Sequence, residues 1–83
     1  MSKPVVLFVG ETHHLRVGKD RIVYAGMPSE HVFSIVVWKS DAMNGQVLSW
    51  NLFFPDSTEL IRVDQVNIVV EDVAPDHIAL QVS

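Results

Sequence analysis

Residues 31–54, HVFSIVVWKSDAMNGQVLSWNLFF, are the stretch on which the fold turns. Two runs rich in β-branched and aromatic residues flank Asn44-Gly45. That dipeptide between alternating apolar runs is the strongest short-range signal for a β-hairpin, because both residues accept the positive φ of a type I′ turn. A two-residue turn there sets Met43 opposite Gln46 and pairs Lys39 with Trp50, Val37 with Leu52 and Ile35 with Phe54. One face then carries Phe33, Ile35, Val37, Leu48, Trp50, Leu52 and Phe54, and the other carries Val36, Trp38, Ala42, Val47 and Phe53 among Ser34, Ser40, Ser49 and Asn51. A four-residue connection would shift the pairing by two and keep these faces, whereas an odd shift would exchange them on one strand. An antiparallel sheet with one wet side alternates cleanly, so large apolar groups on both faces indicate cover on both sides. The first face, with Trp50, Leu52 and Phe54, is assigned to the chain's own core. Val36, Trp38, Val47 and Phe53 are assigned to an oligomer interface.

The size of the chain supports that division. Eighty-three residues make one domain, 1–83, and a chain of this length buries only roughly 60 to 65 per cent of the surface its unfolded form exposes. An apolar fraction of 48% is more than one modest core readily hides, which favours a homo-oligomer. The chain has no cysteine, and disulfides, thiolate metal sites and thiol catalysis are thereby excluded. Its first residues, MSKPVVLFVG, hold an apolar run of about six, short of the ~7 to 15 of a signal-peptide core. They read as a first strand. No run approaches the ~18 apolar residues of a membrane helix, so the expectation is a soluble, cytoplasmic protein without a membrane partner.

Outward from the hairpin, the chain reads as a succession of short strands. Residues 5–9 form a continuous apolar run, expected to be a buried strand closed by Gly10. Glycines recur at 10, 18 and 26, an eight-residue rhythm that suggests strands at about 12–17 and 21–25 joined by tight turns. Residues 27–30, MPSE, break the pattern before the hairpin. After it, Pro55-Asp56-Ser57 is turn chemistry, followed by strands at 59–63 and 65–70. A helix over 64–73 would align Val66, Val69, Val70 and Val73, but three valines and an isoleucine in its interior disfavour it. Pro75 and Asp76 turn the chain into a last strand with Ile78, Leu80 and Val82 inward. The expected fold is all-β, a single small antiparallel barrel or sandwich of about seven short strands around the long hairpin.

Charge is unevenly spread over a net −4. Lys3, Arg16, Lys19 and Arg21 lie in the first 21 residues, while Asp56, Glu59, Asp64, Glu71, Asp72 and Asp76 follow Pro55 with Arg62 alone opposing them. These are read as solvated turns, or as basic and acidic edges that meet head to tail between subunits.

No catalytic, cofactor or metal site is read from the motifs, and the chain is not expected to be an enzyme. His13 and His14 are adjacent and point to opposite faces of a strand. Glu11 with His13 is the better-placed pair, and His31 or His77 would have to reach it through folding. Carboxylates sit singly at turns or as Glu71-Asp72, with no spacing that builds an acid–base pair. The serines lie in no nucleophile elbow, and Gly18-Lys19 lacks the helix of a phosphate loop. Aromatics on a β-surface offer another chemistry, stacking on bases or on a peptide, with Arg16, Lys19 and Arg21 as the basic residues that would gather beside them.

From about residue 18 to residue 72 the chain resembles the Sm and LSm small β-barrels. A strand follows Gly18-Lys19, a long strand ends in Asp41-Ala42-Met43-Asn44, a paired strand follows, and Glu59-Leu60-Ile61-Arg62 precedes Val66-Asn67-Ile68-Val69. The Asp-to-Asn spacing is one residue shorter than in that family's first motif, and Val63 stands where its second has glycine. The first strand and residues 76–83 fall outside the pattern. The resemblance implies a ring of subunits and RNA contacts at Asp41, Asn44 and Arg62.

Overall fold

Alternation of apolar and polar residues gives this chain strands nearly throughout. The computed structural model describes residues 3–15, 20–41, 46–63 and 66–83. Among these, eight strands form two antiparallel sheets: β1 (Lys3–Phe8), β2 (Thr12–His14), β3 (Asp20–Ser29), β4 (Val32–Asp41), β5 (Gln46–Pro55), β6 (Leu60–Val63), β7 (Val66–Val73) and β8 (His77–Val82). One sheet, the hairpin sheet, runs β2-β3-β4-β5. The other, the terminal sheet, runs β1-β8-β7-β6. The sheets are packed face to face as a sandwich and are not closed into a barrel, which settles the choice the sequence left open.

The core lies between them. Ile22, Tyr24, Phe33, Ile35 and Val37 from the hairpin sheet meet Leu7, Ile61, Val63, Val66, Ile68, Ile78, Leu80 and Val82 from the terminal sheet. On β8 the buried positions are Ile78, Leu80 and Val82, the period-2 pattern its sequence dictates. Residue Tyr24 is fully buried, and its hydroxyl donates to the Ala74 carbonyl at 2.6 Å. It therefore ties β3 to the turn before β8 across the two layers.

The long hairpin forms with a register two residues from the one set by a two-residue Asn44-Gly45 turn. Val37 faces Trp50, Ile35 faces Leu52 and Phe33 faces Phe54, up to a last pair Asp41–Gln46. This is the register of a four-residue connection, and the turn residues 42–45 themselves lie outside the described residues. An even shift preserves the faces. Phe33, Ile35 and Val37 are buried, and Leu52 and Phe54 pack against the core with the Phe54 ring stacked on Phe33 at 5.4 Å.

Other expectations are corrected. The β1 strand was expected to be buried throughout, but it is a sheet edge, and only Leu7 is buried while Val6 and Phe8 face outward. The second strand stops at His14 rather than 17, and the third extends to Ser29 rather than ending at Ala25. It passes through Gly26 because that glycine closes no turn. It sits at φ +91° where the β3–β4 register slips between Tyr24 and Gly26, a bulge that admits the extra residue. The β3–β4 register slips again between Gly26 and Ser29, and a slip in β7–β8 between Val70 and Asp72 lets Val70 and Val73 both pack on the core from one strand. That three-residue spacing is what imitates a helix in the sequence.

Candidate functional site

Two apolar surfaces flank the β4–β5 hairpin. On the outer face of the hairpin sheet stand Val36 and Trp38 from β4, half-buried, and Phe53 from β5, 61% exposed. The side chain of Val47 is outside the described residues, though its backbone pairs with Ser40. Position 38 faces Arg21 across β3–β4, and the Arg21 guanidinium lies 5.3 Å from the Trp38 ring centroid, a cation–π contact that covers part of the indole.

The second surface is the inner margin of β5. The sequence assigns Trp50 to the core, but its side chain is 47% exposed, and neighbouring Leu48 is 44% exposed. Their alternation does turn them toward the core side. Leu52 and Phe54, on the same face of β5, do pack on the core, so the exposure is confined to the part of this last strand of the sheet nearer the Asp41–Gln46 end of the hairpin. Beside Trp50 a shallow groove of about 330 Å³ is lined by Val37, Lys39, Leu52, Arg62 and Val63.

The residues proposed for RNA contact are divided by this architecture. Arg21 is exposed on β3 in the hairpin sheet, while Arg62 is exposed on β6 in the terminal sheet. Asp41 ends β4 opposite Gln46. Arg16, Lys19 and Asn44 lie outside the described residues. What the fold does bring together is Arg62, Lys39 and Trp50, around the groove.

The histidines take separate places. The Glu11 carboxylate accepts the Phe8 N–H at 2.7 Å, closing the turn at Gly10 instead of facing His13. His13 lies beside Ile22 on β3, and burial, with Lys3 and His14 adding to it, lowers its pKa. Residue His31 is 3.0 Å from Asp56 and 3.6 Å from Glu30. His77 is 2.9 Å from Asp76 and 3.9 Å from Asp72, and its hydrogen bond holds the Asp76 carboxyl below its usual range. Among the described residues no three of His, Cys, Asp and Glu converge as metal ligands. No helix of the described residues is long and apolar enough to cross a membrane.

Sequence reasoning identified Trp38 and Phe53 as outward and missed that β5 is a sheet edge. No local signal marks the edge: residues 46–54, QVLSWNLFF, contain no charged residue, glycine or proline, the devices that usually betray an edge strand. Comparison of the chain with protein-family models, with curated proteins and with solved structures finds no match.

Proposed function

We propose that this chain is a non-catalytic β-domain that serves as a binding or assembly module by associating with itself, with the cytoplasm as its expected location. The observation that carries this reading is the apolar surface left uncovered on both sides of one hairpin: Phe53 outside, Leu48 and Trp50 inside. Large apolar side chains are also exposed on β1 (Val6, Phe8) and on β6–β7 (Leu60, Val69), and clustered exposed apolar groups mark an interaction surface more often than isolated ones do. Light scattering at micromolar concentration is expected to give a multiple of the 83-residue chain mass. A monomer mass at that concentration would remove the basis of the reading.

A second reading, an Sm-like RNA-binding ring, draws support from two pairings of cation with indole. Arg21 lies over Trp38, and Arg62 borders the groove that Trp50 lines. Stacking platforms beside cations suit single-stranded bases and backbone. This reading expects salt-sensitive binding of single-stranded RNA that weakens when Arg16, Lys19 or Arg62 is neutralised. Absence of binding at low salt ends it.

A further inference from the structure

We propose that β5 pairs antiparallel with β5 of a second copy of this chain about a two-fold axis, joining two four-stranded sheets into one of eight strands. The inference rests on the self-association proposed above and names its surface and its partner.

A sheet edge is a row of unpaired N–H and C=O groups, and proteins obstruct such rows with short strands, charges, proline or bulges. Three of the four edges here carry such a device. As described, β2 is three residues long. β6 is four, with Arg62 among them. β1 begins with Lys3 and Pro4, and proline offers no N–H to a neighbour. β5 has none of these along nine residues. It is ten residues long, uncharged from Gln46 to Phe54, and paired to β4 through ten consecutive positions without a slip. Its free side is uncharged from 46 to 54 and unpaired by any described strand.

The composition of that edge selects a second copy as occupant. An uncharged edge offers nothing for a charged partner strand to match. It is complementary to itself, because two-fold pairing brings no like charges opposite one another. The core sides of two such sheets stay continuous only when even-numbered positions of β5 face even-numbered positions of its copy. Centred on Ser49, that pairing sets Leu48 against Trp50 of the second copy and Trp50 against its Leu48. The two inner side chains that the fold leaves uncovered then cover each other. Each chain has a single edge of this kind among the described strands, so the pairing closes at two.

Sedimentation over the micromolar range on wild type, Trp50→Lys and Trp38→Asp tests this, together with amide hydrogen exchange of wild type at high and low concentration. A lysine pointing inward from an edge strand blocks edge pairing, whereas Trp38 lies on the neighbouring strand and on the outer face. The expected result is a wild-type dimer, a folded Trp50→Lys monomer, a Trp38→Asp dimer, and β5 amides that lose protection on dilution. A dimer that survives Trp50→Lys but not Trp38→Asp overturns edge pairing while leaving self-association standing. A wild-type monomer overturns both, and a wild-type mass above the dimer overturns closure at two. Should Trp50→Lys fail to fold, concentration-independent exchange of the wild-type β5 amides overturns the proposal without it.

Discussion

Tyr24 holds the two layers together from inside the core. Replacing it with phenylalanine keeps the ring packing and deletes one buried hydrogen bond to the Ala74 carbonyl. The expected loss is about 1 to 2 kcal/mol, seen as a lower urea midpoint with an unchanged slope. The same residue sets an alkaline limit. Burial raises its hydroxyl pKa above the ordinary value of 10.0, with the Asp76 carboxylate adding to the effect, so the unfolded chain gives up its proton first. Stability from Tyr24 is complete below that pH and is lost as pH rises beyond it. The stability gap between wild type and Tyr24→Phe therefore narrows in strong alkali. His13 works at the acid end. Its pKa is lowered below 6.5 by burial, then by Lys3 and His14, so the unfolded chain takes up the proton first as pH falls. Comparing urea titrations at about pH 8 and about pH 5, His13→Gln is expected to gain on wild type at the lower value.

At the scale of elements, bulges account for the irregularities of the pattern. Gly26 at φ +91° is buried, and a Cβ there would meet Val9 Cγ2 at 3.4 Å and the Pro75 carbonyl at 3.5 Å, ordinary contacts. Gly10 at φ +89° would meet nothing within 4 Å. Backbone conformation alone thus sets the cost at both positions. Gly26→Ala and Gly10→Ala are each expected to lose about 1 to 2 kcal/mol, measurable by urea unfolding. A much larger loss at Gly26 would mean that the bulge cannot hold against Val9. In β7 the slip beside Glu71 turns Val70 and Val73 to the same side. A reading by strict alternation ends that strand at 70, whereas it runs to Val73.

For the whole molecule, the decisive pairing is also the most distant in sequence. β1 and β8 join from Lys3–Val82 to Phe8–His77, so the chain must close on itself before the terminal sheet is complete. Hairpins β3–β4 and β4–β5 are local and need no such closure. Topologies dominated by long-range pairing fold in milliseconds to seconds. Leu7, the buried residue of β1, is therefore expected to contribute late. Leu7→Ala should speed unfolding and leave the folding rate nearly unchanged in stopped-flow chevrons, whereas Ile35→Ala in the local hairpin should slow folding. Equal effects of Leu7→Ala on both arms would place β1 in the folding nucleus instead.

Local chemistry determined much of this protein. The β-branched alternation of 31–37, the turn residues at 55–57 and the Ile78, Leu80, Val82 triplet each specify strand and inner face without reference to anything distant, because side-chain direction in a strand follows position alone. Hence the all-β class, the faces of the hairpin and most of the core were readable from the residues. Edge position was not. Whether β1 is covered, whether Trp50 is buried and which strands carry unpaired backbone depend on how β1 leaves the β2–β5 meander to join β8 in the other sheet. That choice is made by packing between residues some seventy positions apart. The stretch 46–54 announced an apolar strand, and only the tertiary structure made it an open edge, with Trp50 at its margin rather than in the core.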